Sequence, residues 1–406
     1  MRRLDPALLV VLGGVSAALH IGKLPTALPV LREALGVTLV QAGFLLSLVQ
    51  LAGMLLGLTI GLAADGLGLK RTMVTGLLVL SVASFLGGWA QDPGTLMALR
   101  ALEGVGFLLA SMPAPSLIRR LVTPHRVSAA LGVWGAYMPL GTALALLGGP
   151  WVMARAGWQG WWWLLALLSG GMGLWLMRAV PADAVLVPGG AGAMATGAWP
   201  TRLWDTLRAP GPWLVALCFA MYSGQWLAVI GFLPSMYAQA GLPAGLAGAA
   251  TAAAALVNMG GNIASGRLLG LGVRAQHLLY MGFAAMGLGA FLAFAPIWGA
   301  APVQVAASVR YGAVLVFSMV GGLVPGTLFY LAVRLAPGEK TISTTVGWMQ
   351  QWSSLGQFAG PPLVAYAATV AGGWEWSWLV TGACSAAGIV LAASTGALLR
   401  RRVVAG

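Results

Sequence analysis

The chain is poor in charge: only 8% of its 406 residues are Asp, Glu, Lys or Arg, and only nine of them are acidic. A soluble domain carries about 25% charged residues, so this chain lacks the polar coat needed to face water on every side. Its two cysteines, Cys218 and Cys384, sit inside apolar runs, and its three histidines, His20, His125 and His277, are scattered. That leaves no disulfide framework and no metal-ligand spacing, and we expect neither metal nor cofactor. No G-x-x-x-x-G-K-[ST] loop is present, which excludes ATP-driven pumping by this chain. No paired carboxylates stand within reach of each other for acid–base work, so an enzyme reading fails. Intrinsic disorder fails as well, because 59% of the residues are hydrophobic and low hydrophobicity is the mark of disorder.

What the chain has is long apolar runs, at about 7–31, 39–64, 72–91, 95–118, 127–153, 158–178, 212–238, 244–269, 276–297, 304–333, 341–370 and 376–399. A membrane-spanning helix needs about 20 apolar residues. The runs lack the alternation, in segments of about ten residues, of a membrane barrel. Fifty-nine glycines and 22 prolines suit membrane helices better than soluble ones. The expectation is an all-α membrane protein of twelve transmembrane helices. The first 25 residues resemble a secretory signal, but the apolar stretch continues past His20 and Lys23 to about Leu31, and we read it as helix one. A net charge of +13 does not make a nucleic-acid binder, since the basic residues come in twos and threes between the runs and not on one face.

Charge sets the orientation. With the N-terminus inside, that side collects Arg2, Arg3, Lys70, Arg71, Arg119, Arg120, Arg126, Arg178, Arg202, Arg208, Arg267, Arg274, Arg334, Lys340 and Arg400–Arg402, against Arg32 and Arg155 outside. Both termini are expected in the cytoplasm, with the protein multi-pass in the cell (inner) membrane and monomeric. The segment 179–210, with Pro181, Gly189-Gly190-Ala191-Gly192 and Pro210, reads as a flexible cytoplasmic linker between six-helix bundles at 1–178 and 211–406. The halves echo each other: Leu28-Pro29 followed by Gly36 recurs as Leu233-Pro234 followed by Gly241, a repeat of the kind found in transporters.

Between helices two and three stands Gly61-Leu-Ala-Ala-Asp65-Gly66-Leu-Gly68-Leu-Lys70-Arg71, and helix four carries Arg100-Ala-Leu-Glu103-Gly104-Val-Gly106. Helix five has Gly135, Pro139, Gly141 and Gly148-Gly149-Pro150. The first resembles the cytoplasmic signature loop of the major facilitator superfamily, departing from it at Gly66, where that family has Arg or Lys. The second resembles its Arg-x-x-x-Gly-x-Gly motif and the third its glycine–proline motif. The resemblance implies the major facilitator fold, two six-helix bundles around a central cavity that is open to each side in turn, with helices one, four, seven and ten facing it. It also implies that Gly61, Asp65, Gly68, Lys70 and Arg71 form a cytoplasmic latch. The run Met112-Pro113-Ala-Pro115-Ser116-Leu-Ile-Arg119-Arg120, with Leu131-Gly132-Val-Trp134, is similar to the cyanate and nitroimidazole permeases, which tend to carry a basic residue in helix one, as Lys23 does here.

Ionisable residues inside a membrane read as functional by default. Ser16, His20 and Lys23 share one face of helix one. Arg310 lies in helix ten, while Arg100 and Glu103, at i, i+3, are expected to neutralise each other. Lys23 and Arg310 are then left without intramembrane counter-charges, and an anionic substrate would supply them. Tyr222 and Gln225 in helix seven, Tyr137 in helix five, Asn258 in helix eight, and Gln351 and Trp352 in helix eleven complete the candidate site. His20, Glu103 and Arg100 are the candidates for coupling to protons. Trp158 and Trp161–Trp163 read as an interfacial belt. The function expected is secondary active transport of a small anion, proton-coupled or by anion exchange. The alternatives are a proton-coupled exporter of hydrophobic drugs, compromised by the Arg100 beside its one buried acid, and a non-transporting membrane sensor, which would normally carry a soluble domain.

Overall fold

A computed structural model describes residues 5–123, 126–183, 199–297 and 303–405. The side chains of 60–67, Gly61 and Asp65 of the signature loop among them, and the linker stretch Gly189–Gly192 lie outside the described residues. The described residues hold thirteen numbered helices, the short helix Val127–Trp134 and no strand. α1 is Pro6–Leu35. α2 is Leu39–Ser47 and Leu51–Leu67, joined by the 3-10 turn Leu48–Gln50. α3 is Leu69–Gly87, and α4 is Pro93–Ser111 continued by Ala114–Leu121. Val127–Trp134 leads into the run Tyr137–Ala179, which Gly157, at φ 67° and ψ 176°, breaks into α5 before it and α6 at 158–179. α7 is Trp199–Arg208, α8 Pro210–Gln239, α9 Ala244–Gly270 and α10 Ala275–Phe294. α11 is Val303–Gly321 continued by Leu323–Leu335, α12 Ile342–Ala371 and α13 Ser377–Ala405.

All but α7 are membrane crossings. Ten stretches pass on length and apolarity alone. Dividing Tyr137–Ala179 at Gly157 adds one, and α12 is the other, diluted by Gln350, Gln351, Ser353, Ser354 and Gln357. α7 occupies the last third of the expected linker.

Packing sorts the chain into two compact units, one of Met1–Thr38, Leu48–Gly197 and Leu233–Ala252, the other of Leu39–Ser47, Ala198–Phe232 and Ala253–Gly406. In the first, α3 crosses α4 where Gly76 and Gly106 meet: a Cβ on Gly106 would stand 2.7 Å from the Leu80 nitrogen. Gly104 lies as close to the Val49 carbonyl, so both glycines of the helix-four motif are contact points. α1 closes on α5 through Gly22 against the Thr142 carbonyl and Gly141 against Val15. In the second unit, Gly224 of α8 faces Gly356 and Gly360 of α12, and Gly261 of α9 meets Met319 of α11. Without a hydrophobic drive in lipid, such small-residue approaches are what hold helices together.

The internal repeat has a structural counterpart. α1 carries Pro29 and stops at Gly36, with φ 65°; α8 carries Pro234 and stops at Gly241, with φ 81°. Left-handed glycine satisfies a helix's last carbonyls without a Cβ clash.

Candidate functional site

Lys23, His20 and Arg100 meet at one acid. Glu103 of α4 is 1% exposed, and Lys23 and His20 of α1 are fully buried. Lys23 Nζ donates to Glu103 Oε1 and, at 3.1 Å, to Ser84 Oγ of α3. Arg100 Nη1 donates to Glu103 Oε2 at 2.5 Å. His20 Nδ1 stands 3.7 Å from Glu103 Oε1, and its Nε2 is 2.7 Å from Ser169 Oγ of α6. Ser169 Oγ is 3.4 Å from Ser16 Oγ. Ser84 donates in turn to the Trp162 carbonyl at 2.9 Å, and Lys23 Nζ lies 4.5 Å from the centre of the Trp162 ring.

Lys23 is therefore not without a counter-charge, contrary to the expectation. Glu103 is shared between Lys23 and Arg100, because the α1–α4 packing brings together residues 80 apart in sequence. A lone buried ammonium would cost several kcal/mol in a medium of low dielectric. The shared carboxylate, Ser84 and the face of Trp162 replace the water it loses. Two cations to one carboxylate leave the cluster with a formal surplus of one positive charge.

The tryptophan belt needs correcting too. Trp158, Trp161 and Trp162 are packed inside the unit, and only Trp163 is substantially exposed. Trp162 follows the break at Gly157 that turns the start of α6 inward, a φ > 0 position that a glycine in a tryptophan-rich stretch does not announce. Ser84 and Ser169 had no signal at all, since single serines in membrane helices are commonplace.

In the second unit, the Tyr222 hydroxyl exchanges hydrogen bonds with the Asn258 side chain, donating at 3.1 Å and accepting at 2.9 Å. Asn258 Nδ2 also donates to the Ser318 carbonyl at 2.8 Å. Trp226 Nε1 donates to Ser318 Oγ, and Gln225 accepts from Ser385 of α13 at 3.0 Å. Trp352 packs edge-on against Trp213 and Trp348, and Gln351 beside it is half-buried. In the first unit, Tyr137 stacks on Trp134 with ring centres 4.1 Å apart. Arg310 is exposed on α11 and does not join any buried cluster described above.

The signature loop is clamped by a residue that the sequence did not single out. The backbone N–H groups of Lys70 and Arg71 donate to the two carboxylate oxygens of Asp183, at 2.9 and 3.1 Å. Lys70 Nζ returns to the carbonyls of Met177 and Val180 at the end of α6, at 2.8 and 2.6 Å. A carboxylate thus caps the positive end of α3 while an ammonium caps the negative end of α6. Gly68, at φ 89°, lets Asp183 approach: a Cβ there would lie 2.5 Å from Oδ2.

The Major Facilitator Superfamily profile matches residues 10–361. The chain is 41% identical to the puromycin resistance protein pur8 of Streptomyces alboniger over 125 residues, 30% of this chain and 25% of that one. It is 29% identical to the multidrug resistance protein MdtH of Yersinia enterocolitica over 160 residues, 38% and 39% of the two chains. The chain thus matches two-fifths or less of the length of these curated relatives. Among solved structures it is similar to a D-xylose–proton symporter, with TM-score 0.72, 17% identity and 96% of both chains covered. It is similar also to a bacterial homologue of the human lysosomal transporter Spinster, inward-facing and occupied, with TM-score 0.74, 15% identity and 97% and 96% covered. At such identities the likeness shows the fold.

Proposed function

The chain belongs to the Major Facilitator Superfamily, a multi-pass membrane transporter and not an enzyme, and from that premise we propose that it is a proton-coupled exporter of drug-like organic molecules. One observation carries the reading: Glu103 is a buried carboxylate held by two cations on two helices. Protonating Glu103 would weaken both ion pairs at once and loosen α1 from α4. A titration that biases a packed, two-state element is what coupling requires. The substrate class is supported by the relatives, which are puromycin and multidrug resistance proteins. The cytoplasmic placement of both termini, the inner membrane, the monomeric state and the division into bundles at 1–178 and 211–406 belong to the same proposal.

A small anion is the second reading, to which the similarity with cyanate and nitroimidazole permeases points. It keeps one specific support, the cluster's surplus positive charge, which would double on protonation of Glu103. In that reading Lys23, with His20 on the same face of α1, holds the anion.

The test is transport in proteoliposomes with an imposed pH gradient, with puromycin, nitrate and acetate as probes. Puromycin accumulation driven by protons supports export of organic molecules; nitrate or acetate movement without it supports the anion. Glu103→Gln mimics the protonated carboxyl, so gradient-driven accumulation should fall at least about tenfold, a loss of about 1.4 kcal/mol of drive. Exchange at equal pH should survive. Unchanged gradient-driven transport in Glu103→Gln would remove Glu103 from the coupling role.

A further inference from the structure

His20 Nδ1, a ring nitrogen inside a fully buried residue, has no hydrogen-bond partner. It faces Glu103 Oε1 at 3.7 Å, while the other ring nitrogen is already engaged with Ser169 at 2.7 Å. A buried ring nitrogen without a partner is costly, and its lone pair is open to a proton from the neighbouring carboxyl.

The chemistry of the neighbours says which proton. The charged and titratable groups around His20 are Lys23 on its own helix and Arg100 and Glu103 on α4; α6 presents Ser169, and α3 reaches the cluster with Ser84. Lysine and arginine only donate. When Glu103 is protonated, its new O–H finds donors at Lys23 and Arg100, and within this set the open acceptor is His20 Nδ1.

Resting on the proton-coupled reading above, we propose that His20, Ser169 and Ser16 form a proton relay that drains Glu103 toward the N-terminal end of α1. Glu103 gives its carboxyl proton to Nδ1 after a side-chain rotation that brings the pair from 3.7 Å to hydrogen-bond distance, about 2.7–3.2 Å. His20 passes its Nε2 proton to Ser169 Oγ. Ser169 passes its own hydroxyl proton to Ser16 Oγ, 3.4 Å away, and Ser16 gives its hydroxyl proton to water. Every intermediate member gains one proton and loses one, so the net change is one proton moved from Glu103 to water. Ser16 lies one turn nearer the N-terminus than His20 on the same face, on the way to the cytoplasmic side assigned by charge. Ser169 and His20 act by carrying the proton and do not touch the transported molecule.

The experiment uses the full chain in proteoliposomes, with puromycin as probe and a trapped pH dye reporting protons. Ser169→Ala should reduce puromycin-linked proton movement at least about tenfold, as expected for loss of one positioned proton-transfer group. Puromycin exchange at equal pH should persist, and Ser169→Thr, which keeps the hydroxyl, should restore coupling. The wild type should slow in D2O, and Ser169→Ala should lose that sensitivity in its residual flux. Full proton movement in Ser169→Ala would overturn the relay and leave the coupled reading standing. Loss of exchange and coupling together in both Ser169→Ala and Ser169→Thr would reduce Ser169 to packing, overturning the relay as well. A wild type that moves puromycin with no protons, or moves neither, would overturn the coupled reading and the relay with it.

Discussion

Lys23 shows how much a single side chain's meaning depends on what stands across from it. Read alone, it is an unbalanced cation waiting for a substrate; in the fold, it is one of two donors to Glu103. Breaking a buried pair from one side leaves a charge uncompensated and costs about 3–5 kcal/mol. Lys23→Met should therefore lower the thermal stability of the detergent-solubilised protein markedly as well as stopping transport. Lys23→Met combined with Glu103→Gln should recover part of that stability. A thermal-shift double-mutant cycle checks this, and additive losses would mean that the two side chains do not interact. The Arg100–Glu103 pair was legible in the sequence because i, i+3 spacing on a helix is local. The Lys23–Glu103 and His20–Ser169 contacts, 80 and 149 residues apart, were not, because no sequence rule links positions on α1 to particular turns of α4 and α6.

At the scale of elements, the start of α3 and the end of α6 are secured by reciprocal caps. Asp183→Ala should cost about 0.5–2 kcal/mol, the usual range for a lost helix N-cap, read as faster hydrogen exchange at 69–72. Gly68→Ala should cost more, since it forces a left-handed residue and also drives a methyl into the Asp183 carboxylate. Asp92 caps α4 by accepting from the Thr95 N–H and hydroxyl, at 2.9 and 2.6 Å. The Thr95 hydroxyl, and then its N–H, hold the Asp92 carboxyl below its ordinary value of 3.8. The sign follows from linkage: the cap stabilises the fold above pH 3.8, and its contribution is lost as the pH falls through the lowered value. Asp92→Asn should abolish that acid step in hydrogen exchange at the start of α4. The Asp92-Pro93 signal for a helix start is plain in sequence. Asp183 gives no such signal, because the helix it caps lies more than a hundred residues earlier.

For the whole molecule, the twelve crossings were legible from run length, and the asymmetry of Lys and Arg gives the expected side of each loop. If the termini are cytoplasmic, then in a background of Cys218→Ser and Cys384→Ser, Arg155→Cys should react with an impermeant thiol reagent added to intact cells. Arg208→Cys should react only after the membrane is opened. Labelling of both from outside would refute the orientation.

The sequence by itself determined that the chain spans a membrane and how often, and it placed the ends of most crossings to within a few residues; the run expected at 127–153 is instead broken into Val127–Trp134 and a helix that begins at Tyr137. Those properties depend on lipid rejecting backbone and charge one segment at a time. The repeat at Pro29–Gly36 and Pro234–Gly241 was visible for the same reason, since a proline and a left-handed glycine act within their own helix. Only the tertiary structure decided which charges share a carboxylate, that Trp158, Trp161 and Trp162 are buried after Gly157, and that Asp183 holds the signature loop. These depend on the distance of closest approach between helices, set by glycines such as Gly22, Gly76 and Gly106 meeting backbone across the packing. An electrostatic partner is chosen by that distance, and sequence spacing carries no record of it.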